Sequence, residues 1–394
     1  MQNTVKQYKA ILAKRNALSH AMGVLSYDSE TAMPKNGAPH MAETMAILSE
    51  ESYKLQVNDE VRALLEKLNA NSESLDEITR REVEEELKQL KKLENVPIEE
   101  YAAYSRLISE ASVKWREAKQ TNDYPLFKPY LERIIAAQKS LMAHMYPGKD
   151  TYDALLEEFS EGLSVEMLDP FFANVKAKLV PVIHAVCEAG NQADDSLLHR
   201  PFPIEGQRKL SSFVMDFLGI DRDSCVIGEV EHPFTTEFNK HDVRLTTHYH
   251  EDDVLSNMFS VAHEGGHCLY ELNMGDELIG SPLSGGATMT LHESQSRLFE
   301  NMICRSREFI ALLYPKMKEI FPEQMQGVSE EMLYRAANKS MPSLIRTEAD
   351  ELTYPLHIMV RYEIEKKLIA GTLSVDELPA EWNRLYKEYL GVDV

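Results

Sequence analysis

His263 and His267 stand four residues apart in the segment His263-Glu264-Gly265-Gly266-His267. On an α-helix that spacing projects both imidazoles from one face, and two neutral imidazoles suit Zn2+. Glu264 between them is placed to face a water on such a metal, the arrangement of the HExxH zinc-peptidase signature. Upstream, Val254, Met258, Val261 and Ala262 keep three- and four-residue spacing, as a buried helix does. Two successive glycines inside a helix each cost roughly 0.8–1 kcal/mol relative to alanine. Something therefore approaches the helix closely there, either a substrate or a second helix. On its five residues alone, the motif is matched equally well by two ordinary helix histidines.

A zinc site with two histidines needs a third protein ligand and one open position for water. Glu293 is the best candidate, in the helical stretch LHESQSRLFENM, which follows a loop carrying Gly280, Gly285 and Gly286. His292 competes with it. Adjacent helix positions point about 100° apart, so only one of the two can face the metal. His248 and His250 fall in a strand-like region and read as surface groups or as supports behind the ligands.

The elements that position these residues are mostly helical. From about 57 to 120 the chain is charged and runs through EITRREVEEELKQLKKLENV, with Val83, Leu87, Leu90 and Leu93 at helical spacing. No heptad persists, so a long surface helix of a bundle is expected rather than a coiled coil, with Pro97 and Pro125 as punctuation. Further helices are expected through about 150–220. Near residue 224 the texture changes to SCVIGEVEHPFTTEFNKHDVRLTTHYHEDD, where Val243, Leu245 and Thr247 alternate. That pattern predicts a small antiparallel sheet with its turn at Asn239-Lys240. Helical pattern returns at about 253 and runs to the end. The sequence thus predicts a mainly α fold, a large helical bundle with a small antiparallel β-sheet before the motif helix. It forms one domain over 1–394, divided into a helical segment over 1–222, a β element over 223–250 and the metal-site helices over 251–394.

Composition limits the function classes. With 42 basic against 64 acidic residues the net charge is −22, a field that repels phosphate backbones and anionic membranes. Neither nucleic acid nor membrane is expected as a partner. Cys187, Cys225, Cys268 and Cys304 form no CxxC pair and read as buried free thiols of a reducing compartment. The charged N-terminus has no apolar secretory core, and no window approaches ~18 consecutive apolar residues. A cytoplasmic location is expected.

Further blocks accompany the metal motif: His292-Glu293-Ser294-Gln295, His232-Pro233-Phe234, Asp242-Val243-Arg244-Leu245-Thr246 and Ile345-Arg346-Thr347-Glu348-Ala349-Asp350. An opening segment runs from Leu25-Ser26-Tyr27-Asp28 to Met33-Pro34. In order across nearly the whole chain, these resemble the carboxypeptidase Taq family of metallocarboxypeptidases, with Tyr27 where tryptophan is usual. The resemblance implies a mostly helical fold with a deep groove, a homodimer, and broad-specificity removal of C-terminal residues from peptides with a free carboxylate. It assigns zinc to His263, His267 and Glu293, and general acid/base work to Glu264; cobalt and manganese can occupy similar sites. Arg346 and Arg244 become candidates for gripping the substrate carboxylate, and His232 for a substrate contact. Asp350 could orient a ligand histidine, and Tyr354 could donate to the tetrahedral intermediate. The family also carries a GxxQDxHW block and an aromatic-rich segment beyond the point where this chain ends, at YLGVDV. Two alternatives stay open: a different helical zinc peptidase, and an inactive metal-binding homologue that acts as an interaction protein.

Overall fold

The structure is a computed structural model that describes residues 1–285 and 288–394; Gly286 lies outside the described residues. The N-terminal half is helical: α1 (Gln2–Thr31), α2 (Ala38–Gln56), α3 (Asp59–Asn69), α4 (Glu77–Leu93), α5 (Ile98–Thr121), α6 (Tyr124–Met145), α7 (Thr151–Phe159), α8 (Val165–Glu188) and α9 (Ile204–Phe217). The segment 57–120 is therefore three helices and not one. Asn58 and Asp76 explain the breaks, each accepting a hydrogen bond from the third residue of the helix it starts, while Pro97 opens α5. Tyr8, Leu12, Val61, Leu65, Leu68, Val83 and Leu90 form a core among the first of these helices. Two buried carboxylates on α4, Glu82 and Glu86, are matched by Lys9 and Arg15 of α1.

Three strands follow, β1 (Cys225–Glu229), β2 (Thr235–Asn239) and β3 (Asp242–Thr247). The β2–β3 turn falls at the predicted place. The sheet is mixed, however, in the order β1-β3-β2, with β1 parallel and β2 antiparallel to β3. Residues 230–234 reverse the chain and carry it past the position that β3 later fills. The hairpin then returns β3 between its neighbours in the direction of β1. As the central strand, β3 buries Val243, Leu245 and Thr247 completely.

The rest is α10 (Val254–Leu272), α11 (Met289–Arg297), α12 (Arg307–Ile320), α13 (Glu330–Ala337), α14 (Tyr354–Ala370) and α15 (Leu378–Leu390), with a π-helical turn at Leu298–Ile303 continuing α11. Val254, Met258, Val261 and Ala262 of α10 are fully buried, and the main core packs around them from α9, the sheet, α12 and α13. A second core joins α8, α14 and α15 through Ile183, Leu356, Val360, Leu385 and Tyr389. Between α13 and α14 the helical pattern lapses, and Arg346 sits in a single 3-10 turn (Arg346–Glu348) instead of a helix. Asp350 organises that stretch by accepting hydrogen bonds from Ser340, Thr353 and the backbone N–H groups of Met341, Leu352 and Thr353.

Cys225, Cys268 and Cys304 are buried free thiols, while Cys187 is exposed at the end of α8. Among the described residues no helix is long and apolar enough to cross a membrane.

Candidate metal centre

Helix α10 presents His263 and His267 on one face, with ring centroids 5.1 Å apart. Facing them is α11, and the two helices meet almost backbone to backbone. A Cβ on Gly266 would lie 2.6 Å from Cα of Ser296 and 2.8 Å from the carbonyl oxygen of Gln295, while one on Gly265 would meet Cδ1 of Leu218 at 2.4 Å. The double glycine thus answers to helix packing on both sides.

The close approach brings Glu293 to both histidines. Its Oε2 lies 3.5 Å from Nε2 of His263 and 3.4 Å from Nε2 of His267. One ligand atom from each of the three residues lies within 4.8 Å of the others. The donor set is two imidazole nitrogens and one carboxylate oxygen, which suits a divalent ion such as Zn2+ and leaves a coordination position for water. The ring nitrogens that face away are also engaged, as metal-binding imidazoles require. Nδ1 of His263 is 2.8 Å from Oε2 of Glu300, and Nδ1 of His267 is 2.5 Å from Nδ1 of His292. These residues fit a metal ion.

Charge is concentrated here. Burial opposes a charge on His263, but hydrogen bonds to Glu293 and Glu300 outweigh it and raise its pKa to about 9. Burial would raise the Glu293 and Glu300 carboxyls, yet His263 and Arg297 hold both below the usual range. Glu264 is only 6% exposed, and burial pushes its carboxyl up against the pull of His263. The Thr235 hydroxyl holds that side chain, at 2.6 Å from Oε2 and 3.1 Å from the Glu264 carbonyl oxygen.

Sequence reasoning missed several of these supports. Arg297 donates from Nε to Oε1 of Glu293 at 2.9 Å and from a terminal nitrogen to Oε2 of Glu300 at 3.0 Å. Positions 293, 297 and 300 share one helix face, which was a readable signal. Glu271 and Glu300 look like ordinary helix carboxylates until burial singles them out, at 2% and 6% exposure. They, and not Asp350, stand behind the histidines. His292 stands behind His267, with both its ring nitrogens occupied, one by His267 and the other by Glu271.

The expected substrate contacts divide. Arg346 donates to the Tyr354 hydroxyl, and the Arg297 guanidinium lies 3.8 Å from the centre of the Tyr354 ring. Three contacts in series, through Tyr354 and Arg297, thereby connect Arg346 with Glu293. Arg244 gives a two-pronged ion pair to Asp242 at 2.9 and 3.0 Å and lies over the rings of Phe238 and Tyr27. His232 lies beside Trp115 and Lys119 of α5. Neither Arg244 nor His232 touches the histidine–glutamate cluster. His248 bonds the Val230 carbonyl and pairs with the ring of His250 at 4.4 Å, outside the cluster as expected.

Comparison with known proteins agrees with this geometry. The profile of the carboxypeptidase Taq (M32) metallopeptidases matches residues 7–394. Carboxypeptidase 1 of Bacillus subtilis is 40% identical over 387 residues, which cover 98% of this chain and 77% of that protein. The BsuCP crystal structure superposes with a TM-score of 0.96 at 39% identity, covering all of this chain and 79% of that one. The M32 carboxypeptidase of Deinococcus radiodurans gives 0.93 at 32% identity, with 100% and 78% covered.

Proposed function

We propose, from the premise that the chain belongs to the carboxypeptidase Taq (M32) family and is a metallocarboxypeptidase, that it uses zinc to remove C-terminal residues from peptides of varied sequence. The observation that carries this reading is the convergence of His263, His267 and Glu293 within 4.8 Å beside a buried Glu264. His263, His267 and Glu293 hold the ion in this proposal, and cobalt or manganese could replace zinc on the same donors. The ion supplies Lewis acidity, which lowers the pKa of water and polarises a carbonyl.

Glu264 is the general acid/base. Its raised pKa brings it nearer to neutrality, where a carboxylate can both take a proton from the attacking water and return it to the leaving amine. Thr235 keeps the carboxylate in place for both transfers. Arg346 recognises the chain end, since a guanidinium offers two parallel donors to a carboxylate. Its side-chain hydrogen bond goes to a neutral tyrosine hydroxyl. Arg244 already has Asp242, so we assign it and His232 to the walls of the peptide groove. Tyr354 orients Arg346, a role its geometry supports better than donation to the tetrahedral intermediate. The family likeness supports a homodimer, and the buried free cysteines support a reducing, cytoplasmic setting.

An N-blocked peptide with a free C-terminal carboxylate, and the same peptide amidated, test the proposal on the zinc-loaded chain. The free acid should be shortened and the amide spared. Glu264→Gln should keep its zinc and lose turnover by ~10²–10⁴-fold. Equal cleavage of acid and amide would point to another peptidase class, and zinc binding without any cleavage to an interaction protein.

A further inference from the structure

Two imidazoles and a carboxylate stand in line behind the metal centre. Nδ1 of His267 lies 2.5 Å from Nδ1 of His292, whose Nε2 lies 2.6 Å from Oε1 of Glu271. Glu271 follows His267 by one turn of α10, and its side chain is 3% exposed. A carboxylate buried so deeply needs donors, and an ionised carboxylate only accepts. Nε2 of His292 therefore carries a proton. In a neutral ring Nδ1 of His292 is then an acceptor, so the proton between the two rings belongs to Nδ1 of His267. His267 is left as the tautomer whose Nε2 lone pair faces Glu293. The other ligand ring is served differently, because Nδ1 of His263 meets the Glu300 carboxylate directly.

We infer that His292 is a positioning residue for the metal, acting through His267, with Glu271 setting the tautomer of the pair. The inference rests on the proposed metal site and deepens it. Carboxylates that orient metal-bound imidazoles typically change metal affinity by about 10–100-fold when removed. Here the carboxylate works at one remove, through a neutral ring packed 4.9 Å from Tyr270.

Zinc affinity of the full chain, measured by competition with a chelator, tests the relay. His292→Ala and Glu271→Ala should each weaken zinc by about 10–100-fold. Glu271→Gln should weaken it less, since the amide oxygen still accepts from Nε2 but carries no charge. The double variant Glu271→Ala/His292→Ala should bind no more weakly than His292→Ala, because Glu271 reaches the metal only through that ring. Additive losses, or unaltered affinity in either alanine variant, would overturn the relay. If His292→Ala does not fold, judged by circular dichroism, Glu271→Gln decides, and unaltered zinc affinity there overturns it. Failure of the unaltered chain to bind one zinc would remove the metal site and the relay together.

Discussion

Arg346 combines a half-buried place in a short turn with a connection to Glu293 through Tyr354 and Arg297. A cation held in that way can meet a substrate carboxylate without losing an ion-pair partner, whereas Arg244 would first have to leave Asp242. Hydrogen bonds to charged groups contribute about 1.5–3 kcal/mol, so Arg346→Ala should weaken competitive inhibition by short free-carboxylate peptides by roughly 10–100-fold. Amidated inhibitors should lose nothing and zinc content should stay at wild type. A matching loss on the amidated series would assign Arg346 a structural role in place of end recognition. That His263 and His267 share one face with Glu264 between them was legible from their spacing, whereas Glu293 was one of two candidates until α11 packed it against both rings. Thr235 was not legible, since its hydroxyl reaches Glu264 only once the sheet has folded against α10.

At the scale of elements, Gly265 and Gly266 look equivalent in sequence and differ in space. Gly266 faces the backbone of α11, which cannot rotate away, while Gly265 faces the end of the Leu218 side chain, which can. Overpacking typically costs about 1–3 kcal/mol. Gly266→Ala should therefore lower stability by about that much and also weaken zinc, because Glu293 and His292 ride on α11. Gly265→Ala should cost less and leave zinc affinity near wild type. Chemical denaturation and metal titration of both variants check the contrast, and equal effects would refute it. The sequence showed that something had to come close to this helix, but pattern alone could not say which partner met which glycine. The breaks at Asn58 and Asp76 were hidden by continuous charge and apolar spacing, and the capping hydrogen bonds of these two side chains emerge only with the helices they start. The parallel partner of β3 was hidden for another reason: strand order depends on where a connection passes, and residues 230–234 carry no mark of it. The irregular stretch around Asp350 escaped notice because its hydrogen bonds converge on one side chain, with no periodicity to announce it.

Across the whole molecule, the site joins two cores. Helices α10 and α11 belong to the main one, while Tyr354 opens α14 of the second and stacks on Arg297. Occupancy of the site therefore bears on the stability of both, and its proton bookkeeping gives that dependence a sign. In the ion-free protein His263 is held protonated, its pKa raised from 6.5 to about 9 by Glu293 and Glu300 against the effect of burial. A group whose folded pKa lies above its unfolded value stabilises the fold fully below the unfolded pKa, and that contribution is lost as pH rises through the folded one. The ion-free chain should then lose stability between pH 6.5 and about 9. Metal binding needs the same imidazole deprotonated, so the stabilisation by zinc should grow over the same window. Melting temperatures of chelator-treated and zinc-loaded protein, compared at each pH, isolate this effect because other titrating groups contribute to both curves. The gap between the two should widen steadily from pH 6.5 to about 9. A constant gap would mean that His263 does not hold the proton that zinc displaces.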